Sequence, residues 1–270
     1  MNTQATIGRM LFAAVAMTFG VQCLIFSSFV AGLEPVPATL LPSTPWGAIN
    51  GLVLIGVGLS LLADRSARIG ALVLAALFIV SAILLEGPSL IAHPKAAADD
   101  VFHTLAIGSA ALVLTAEVAR SPDASGRDRW MAYAGLAGRL IFGVCTIGHG
   151  VMHFVFFQFT ADFIPAWIPW HAFWAAFTGV AQIAAGLAIL SGVLARLAAT
   201  LTGVMYASWA VIVHIPRVEA HPASRQEWTS IVIATALCAS ALVVAGVFKA
   251  RRDPVRTEEL ATAEKAEAPV

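Results

Sequence analysis

Eight stretches of this chain are long and apolar enough to cross a lipid bilayer, and they restrict its fold more than any other feature. They fall at roughly 8–32, 46–63, 67–86, 102–120, 136–158, 170–191, 195–216 and 228–248, each close to the ~20 residues a spanning helix needs. Hydrocarbon offers the backbone no hydrogen-bond partner, so a chain crosses it as helix or as a closed barrel. Runs of this length without period-two alternation select helix. The sequence therefore predicts an all-α integral membrane protein with eight transmembrane helices. Composition agrees: 59% of the 270 residues are hydrophobic and 12% charged, where soluble domains carry about a quarter charged residues. Mean hydropathy is +0.83. A net charge of zero lacks the electrostatic footprint of a nucleic-acid binder. Cys23, Cys145 and Cys238 stand singly inside apolar runs. No C-x-x-C pair is present, which counts against a thiol–disulfide relay and a ribbon-type zinc site.

The chain repeats itself. "GRMLF" from Gly8 aligns with "GRLIF" from Gly138, and Gly20 with Gly150, at an offset of 130. Trp46 aligns with Trp174, Gly51 with Gly179, Gly58 with Gly186, Arg68 with Arg196, and the "AHP" at Ala92 with that at Ala220, at an offset of 128. The expected organisation is a first four-helix repeat over 1–120, a cytoplasmic linker over 121–135, a second four-helix repeat over 136–248 and a charged, flexible cytoplasmic tail over 249–270. The counterpart of the first run at Gly138 argues against reading that run as a cleaved leader.

Lys and Arg set the expected orientation, since positive charge gathers on the cytoplasmic side. Arg9, Arg65, Arg68, Arg120, Arg127, Arg129, Arg139, Arg196, Lys249, Arg251, Arg252, Arg256 and Lys265 fall on one side; Lys95, Arg217 and Arg225 fall on the other. A multi-pass protein of the inner (plasma) membrane is expected, with both termini cytoplasmic. Four spans per unit give the two units the same orientation, so they form parallel bundles.

In this topology none of the seven histidines lies on the cytoplasmic side. His93 and His221 fall in outer loops, His103 and His171 at helix starts, His214 at a helix end, and His149 and His153 within the fifth helix. His149 and His153, in "HGVMHF", share one helix face at i, i+4. Such a pair can supply half a metal site, an axial haem ligand, a donor to a quinone carbonyl or a proton relay; it can also simply pack helices through hydrogen bonds. Ionisable groups inside a membrane are costly and usually face a cavity or a partner. Gln182, deep in the sixth helix, needs a hydrogen-bond partner for the same reason. Trp174 and its neighbours Trp167 and Trp170 suit an interfacial belt or the mouth of a ring-binding pocket. The repeat sets His149 against Phe19, His153 against Cys23 and His214 against Glu86, so the second half is the better candidate for chemistry. The expected ligand-binding set is His149, His153, His171, Gln182, His214 and Trp174, with His149 and His153 as weak metal candidates.

"GHGVMHF", "FIPAWIPW", "TGVAQIAAGLAIL" and "RLAAT" together resemble the DoxX family of four-helix membrane proteins, clearly over 138–216 and more weakly over 8–90 through the repeat. The family's Gly-x-x-His-Phe stretch is matched by Gly150, His153 and Phe154. Its Pro-Trp-(Ile/Leu)-Pro loop corresponds to Pro165, Trp167, Ile168 and Pro169 in spaced form. Its Gly-x-x-Glu-x-x-x-Gly helix corresponds to Gly179, Gln182 and Gly186, with Gln in place of Glu. That exchange removes a proton carrier at the position. The family takes its name from a subunit of a thiosulfate:quinone oxidoreductase, and other members are associated with membrane redox complexes.

The resemblance implies a quinone-linked redox component or accessory subunit with an outward-facing histidine pocket. A quinone is preferred to haem or a metal as its cofactor. Its expected partners are the lipid bilayer and a soluble or membrane redox subunit. A small-molecule transporter or binding protein, and a non-catalytic assembly partner, are the competing readings. No flavin or dinucleotide fingerprint is present, so hydride chemistry would need a partner or a bound quinone.

Overall fold

The computed structural model describes residues 1–30, 32–36, 43–118 and 126–248. Part of the expected linker (121–125) and the whole of the expected tail (249–270) lie outside them. Eight helices are long and apolar enough to span a membrane: α1 (Thr3–Phe26), α2 (Thr44–Leu62), α3 (Ala67–Ala92), α4 (Pro94–Val118), α5 (Trp130–Val155), α6 (His171–Ser191), α7 (Ala195–Ala220) and α8 (Arg225–Val247). A short helix, Phe157–Asp162, sits between α5 and α6, and no strand occurs among the described residues. The chain is an all-α integral membrane protein.

Local chemistry fixes the helix ends. The Asn2 side chain accepts from the Ala5 N–H and caps α1, satisfying one of the donors a helix start leaves open. Ser224 does the same for α8 through the Glu227 N–H. Gly192, at φ +80°, ends α6 in the left-handed conformation that glycine adopts without cost.

The helices pack around α4 and α8. Of their most apolar stretches, 67% and 61% are buried, against 28% for both α6 and α7, so α4 and α8 form the middle and α6 and α7 face lipid. Helix α4 lies against α3, α5 and α8; α8 also lies against α1 and α7; α1 packs on α2, and α6 on both α5 and α7. Alanines on the central pair, among them Ala106, Ala110, Ala236, Ala239 and Ala241, are fully or almost fully buried. Small side chains suit this place, because helices in lipid associate by close packing and not by exclusion of water. Two contacts are closer still. A Cβ on Gly20 would stand 2.6 Å from the Gly51 carbonyl oxygen, and one on Gly150 would stand 2.6 Å from that of Gly179.

The bundle has two distinguishable ends. At the proximal end Asn2 donates to the Gly246 carbonyl at 2.8 Å, and Gln4 links Arg196 and Thr200. At the distal end Arg225 donates to Ser28 Oγ and the Phe29 carbonyl.

Near the distal end, α3 and α7 each widen into a π-turn, at Ala82–Glu86 and Ala210–His214. Each turn is followed by a proline, Pro88 or Pro216, in the first turn of the next segment. A proline lacks the N–H for the i−4 carbonyl and its ring crowds that carbonyl. One extra residue in the turn relieves the clash and re-aims the side chains beside it, here Glu86 and His214.

One helix start departs from expectation. Helix α4 begins at Pro94, not near residue 102. Proline is well suited to the first helical position, and the alanines that follow favour helix. Asp99, Asp100 and His103 are therefore inside α4, on its first turns.

Candidate functional site

Helices α5, α6 and α7 bring four buried or half-buried polar side chains into one continuous hydrogen-bonded chain. His153 Nδ1 lies 3.2 Å from the Ala175 carbonyl oxygen and 3.1 Å from Thr178 Oγ1. His153 Nε2 lies 3.1 Å from Gln182 Nε2. The Tyr206 hydroxyl is 3.3 Å from Gln182 Oε1 and 3.1 Å from His149 Nδ1.

The proton positions follow from these partners. A carbonyl only accepts, so His153 carries its hydrogen on Nδ1 and donates it toward Ala175. Thr178 spends its own hydrogen on the Trp174 carbonyl at 2.8 Å and leaves its oxygen as a further acceptor. His153 Nε2 is then a lone pair, which accepts from the Gln182 amide. Gln182 Oε1 accepts from the Tyr206 hydroxyl, and the Tyr206 oxygen accepts from His149 Nδ1–H. His149 is thus held as the Nδ1–H tautomer with a bare Nε2.

That Nε2 is buried and has no hydrogen-bond partner among the described residues. The other side-chain polar atoms of His153, Gln182, Tyr206 and His149 each have a partner, as the membrane interior requires. His149 is wedged edge-on between Phe102 and Tyr206, with ring centroids 6.0 Å and 6.3 Å away. His103 of α4 lies beside it, with ring centroids 4.7 Å apart. His103 Nδ1 is in turn 3.9 Å from Asp99 Oδ2, one helical turn earlier. His153 is stacked on Trp209 at 5.4 Å and 25°.

Farther toward the distal end, a cleft of about 420 Å³ opens among the turn after the short helix, the start of α6 and the end of α7. Asp162, Phe163, His171, Arg217 and His221 line it. Arg217 forms a two-point ion pair with Glu227, at 2.9 and 2.7 Å, and covers the Phe163 ring at 4.1 Å. His214, turned by the π-turn, meets the other part of Phe163 at 6.0 Å, and its Nδ1 is buried without a hydrogen-bond partner among the described residues.

The expected site residues therefore separate into two groups. His149, His153 and Gln182 come together, through Tyr206. His171 lines the cleft and His214 borders it across Phe163. Trp174 joins neither group: it packs with Phe173 and Phe177 at 5.3 and 5.9 Å, and Trp209 provides the ring that stacks on His153. Tyr206, Trp209, His103 and Asp99 are functional candidates that sequence reasoning did not bring to this site. One signal for Tyr206 was available, because the 128-residue offset sets it against Phe78, a hydroxyl gained at a buried position.

The first half has a smaller polar cluster of its own. Glu34, between α1 and α2, accepts at Oε2 from the Val30 N–H at 3.1 Å and from the Asn50 amide at 2.6 Å. Burial pushes the Glu34 carboxyl up from its ordinary value near 4.5, against the pull of those two hydrogen bonds. Ser81 donates to the neighbouring Leu33 carbonyl at 2.6 Å.

No curated protein and no solved structure is detectably similar to the chain. Residues 134–215 match the family model described as DoxX. That segment holds the whole His153–Gln182–Tyr206–His149 chain together with α6, most of α5 and most of α7. The protein is a multi-pass membrane protein in which residues 134–215, and with them the hydrogen-bonded histidine chain, are similar to the DoxX family.

Proposed function

We propose that this protein is a quinone-linked component of a membrane redox system, with the quinone ring held in the distal cleft and its protons exchanged through the histidine chain beside it. The observation that carries this reading is the Gln182–Tyr206–His149 hydrogen-bonded chain, built inside otherwise apolar spans on the lipid-facing side of the bundle. Quinones dissolve in the bilayer and reach such a face laterally. Their rings need aromatic walls and a few polar contacts, and the cleft supplies Phe163, His171 and Arg217 within a volume typical of small-molecule sites. Quinol oxidation releases two electrons and two protons. The His153 imidazole can take up and release a proton while the Gln182 amide holds its ring in place, and the electrons would go to a soluble or membrane redox subunit.

The proposal extends to organisation. The halves over 1–120 and 136–248 are parallel four-helix repeats, with 121–135 as linker and 249–270 as tail. The paired glycine contacts of Gly20 with Gly51 and Gly150 with Gly179 support the repeat, as does the spacing of the two π-turns by the same 128 residues. The excess of Arg at the proximal end supports inner-membrane placement with cytoplasmic termini.

The test is mass spectrometry of lipids extracted from the purified protein, followed by titration with a short-chain quinone in nanodiscs. Retained quinone is expected, with affinity about tenfold lower in His171→Ala, the loss that accompanies one hydrogen bond. A protein that retains no quinone and binds none on titration would overturn the reading.

A further inference from the structure

We infer that Asp99, His103 and His149 form a binding site for one divalent first-row transition-metal ion, placed where α4 of the first half meets α5 of the second. One donor atom from each residue lies within 4.8 Å of the others. Two imidazoles and one carboxylate suit iron(II), zinc or manganese better than the oxygen-seeking calcium or magnesium.

The second observation is independent of this clustering. The hydrogen-bonded chain fixes which nitrogen of His149 carries the proton. It leaves Nε2 as an unprotonated lone pair, 96% of the residue being buried around it, and no described residue offers that atom a hydrogen. A buried bare imidazole nitrogen in an apolar span costs energy unless something electrophilic meets it. The opposite nitrogen donates to an oxygen, the arrangement that orients metal-ligating histidines and raises their basicity. Tyr206 and Gln182 are thus positioning residues for a ligand atom they do not touch.

The geometry can close on an ion. Bonds of about 2.0–2.2 Å to nitrogen and oxygen bring tetrahedral donors to about 3.3 Å from one another, so the present cluster must contract by ~1.5 Å at most. His149 is locked by Tyr206, Phe102 and its helix. Asp99 and His103, with side chains 46% and 24% exposed, have room to rotate inward, and their i, i+4 spacing already aims them at the same side of α4. Three protein donors leave at least one coordination position for water or a substrate. The inference stands apart from the quinone reading, because the site shares only His149 with the hydrogen-bonded chain and its test involves no quinone.

The test uses full-length protein with any affinity tag removed, washed with chelator, loaded with zinc(II) or cobalt(II), desalted and assayed for metal content, with cobalt d–d absorption as the readout of ligand geometry. One equivalent of metal is expected, and less than a tenth of that in Asp99→Asn/His103→Ala at unchanged folded yield. Asp99→Asn alone, which keeps size and helix propensity, should weaken binding at least tenfold and guards against a misfolded double variant. Tyr206→Phe should weaken binding 10–100-fold, as loss of an outer-shell partner does, without altering the cobalt ligand set. Wild-type protein that holds no metal, or a double variant that binds as wild type does, would overturn the inference.

Discussion

In the first half of the molecule Phe19 of α1, Leu54 of α2 and Phe78 of α3 belong to the buried core, each with no solvent exposure. At the positions that the sequence offsets of 130 and 128 residues set against them, the chain carries His149, Gln182 and Tyr206, equally deep at 4%, 0% and 1% exposure. Cys23, fully buried, is paired with half-buried His153. The same packing problem is thus solved once with hydrocarbon and once with hydrogen bonds. Hydrocarbon is the simpler filling, because each polar group placed there must find its partner or cost free energy. The side chains of His153, Gln182, Tyr206 and His149 meet that demand among themselves and with the Ala175 carbonyl, except at His149 Nε2. The first half keeps its own polar cluster, Glu34 with Asn50, at the rim beside the α1–α2 connection. The longer buried polar chain lies within residues 149–206 alone, which is why the proposed function places its site there and not on a path shared symmetrically by both halves.

The largest effect should come from features the halves share. Gly20→Val and Gly150→Val each drive a branched side chain into a facing carbonyl. Each should cost more than ~3 kcal/mol and abolish monodisperse protein on gel filtration. Collapse of one variant alone would break the pairing of the halves.

The next tests exploit the difference. Gln182→Leu installs the residue of the first half but strands the Tyr206 hydroxyl and His153 Nε2, at about 2–4 kcal/mol by denaturant unfolding in micelles. Replacing the whole chain by its first-half counterparts, His149→Phe, His153→Cys, Gln182→Leu and Tyr206→Phe together, should recover most of that loss. A fourfold variant that sums the single penalties would show that the chain is not a cooperative unit. Tyr206→Phe and its mirror, Phe78→Tyr, should each cost about 1–3 kcal/mol, the first by stranding His149 Nδ1–H and the second by burying an unpaired hydroxyl.

The smallest effect lies at Glu34. Its folded-state carboxyl titrates above its ordinary value, so folding takes up a proton between the two. Stability is therefore greatest below about 4.5 and declines as pH rises through the folded value. Glu34→Gln should flatten this slope and raise the thermal midpoint by a few degrees at pH 8. An unchanged slope would remove Glu34 as its source.

Much of this was legible in the residues. Length and hydropathy announce eight spans because the bilayer imposes both. The i, i+4 spacing put His149 and His153 on one face, and a lone amide at Gln182 had to find a partner within reach. What escaped was set by helix starts and turns. Asp99 and His103 read as loop and helix edge until Pro94 is placed at the first position of α4, which lifts both onto a face toward α5. His214 reads as one more pocket ligand, yet the π-turn before Pro216 swings it to Phe163. Tyr206 and Trp209 look like ordinary lipid-facing aromatics in sequence, and only the packing of α7 on α6 joins their polar and flat faces to the histidines.

The central claim is the proton arrangement that leaves His149 Nε2 bare. It is tested most directly by solid-state ¹⁵N NMR of histidine-labelled, chelator-washed protein in lipid, with His149→Phe used to assign the signals. The expected spectrum shows His149 neutral at pH 7, with a bonded proton on Nδ1 and none on Nε2, and a mixture of tautomers once Tyr206→Phe removes the acceptor. A wild-type signal with the proton on Nε2, or on both nitrogens, would contradict the hydrogen-bond chain.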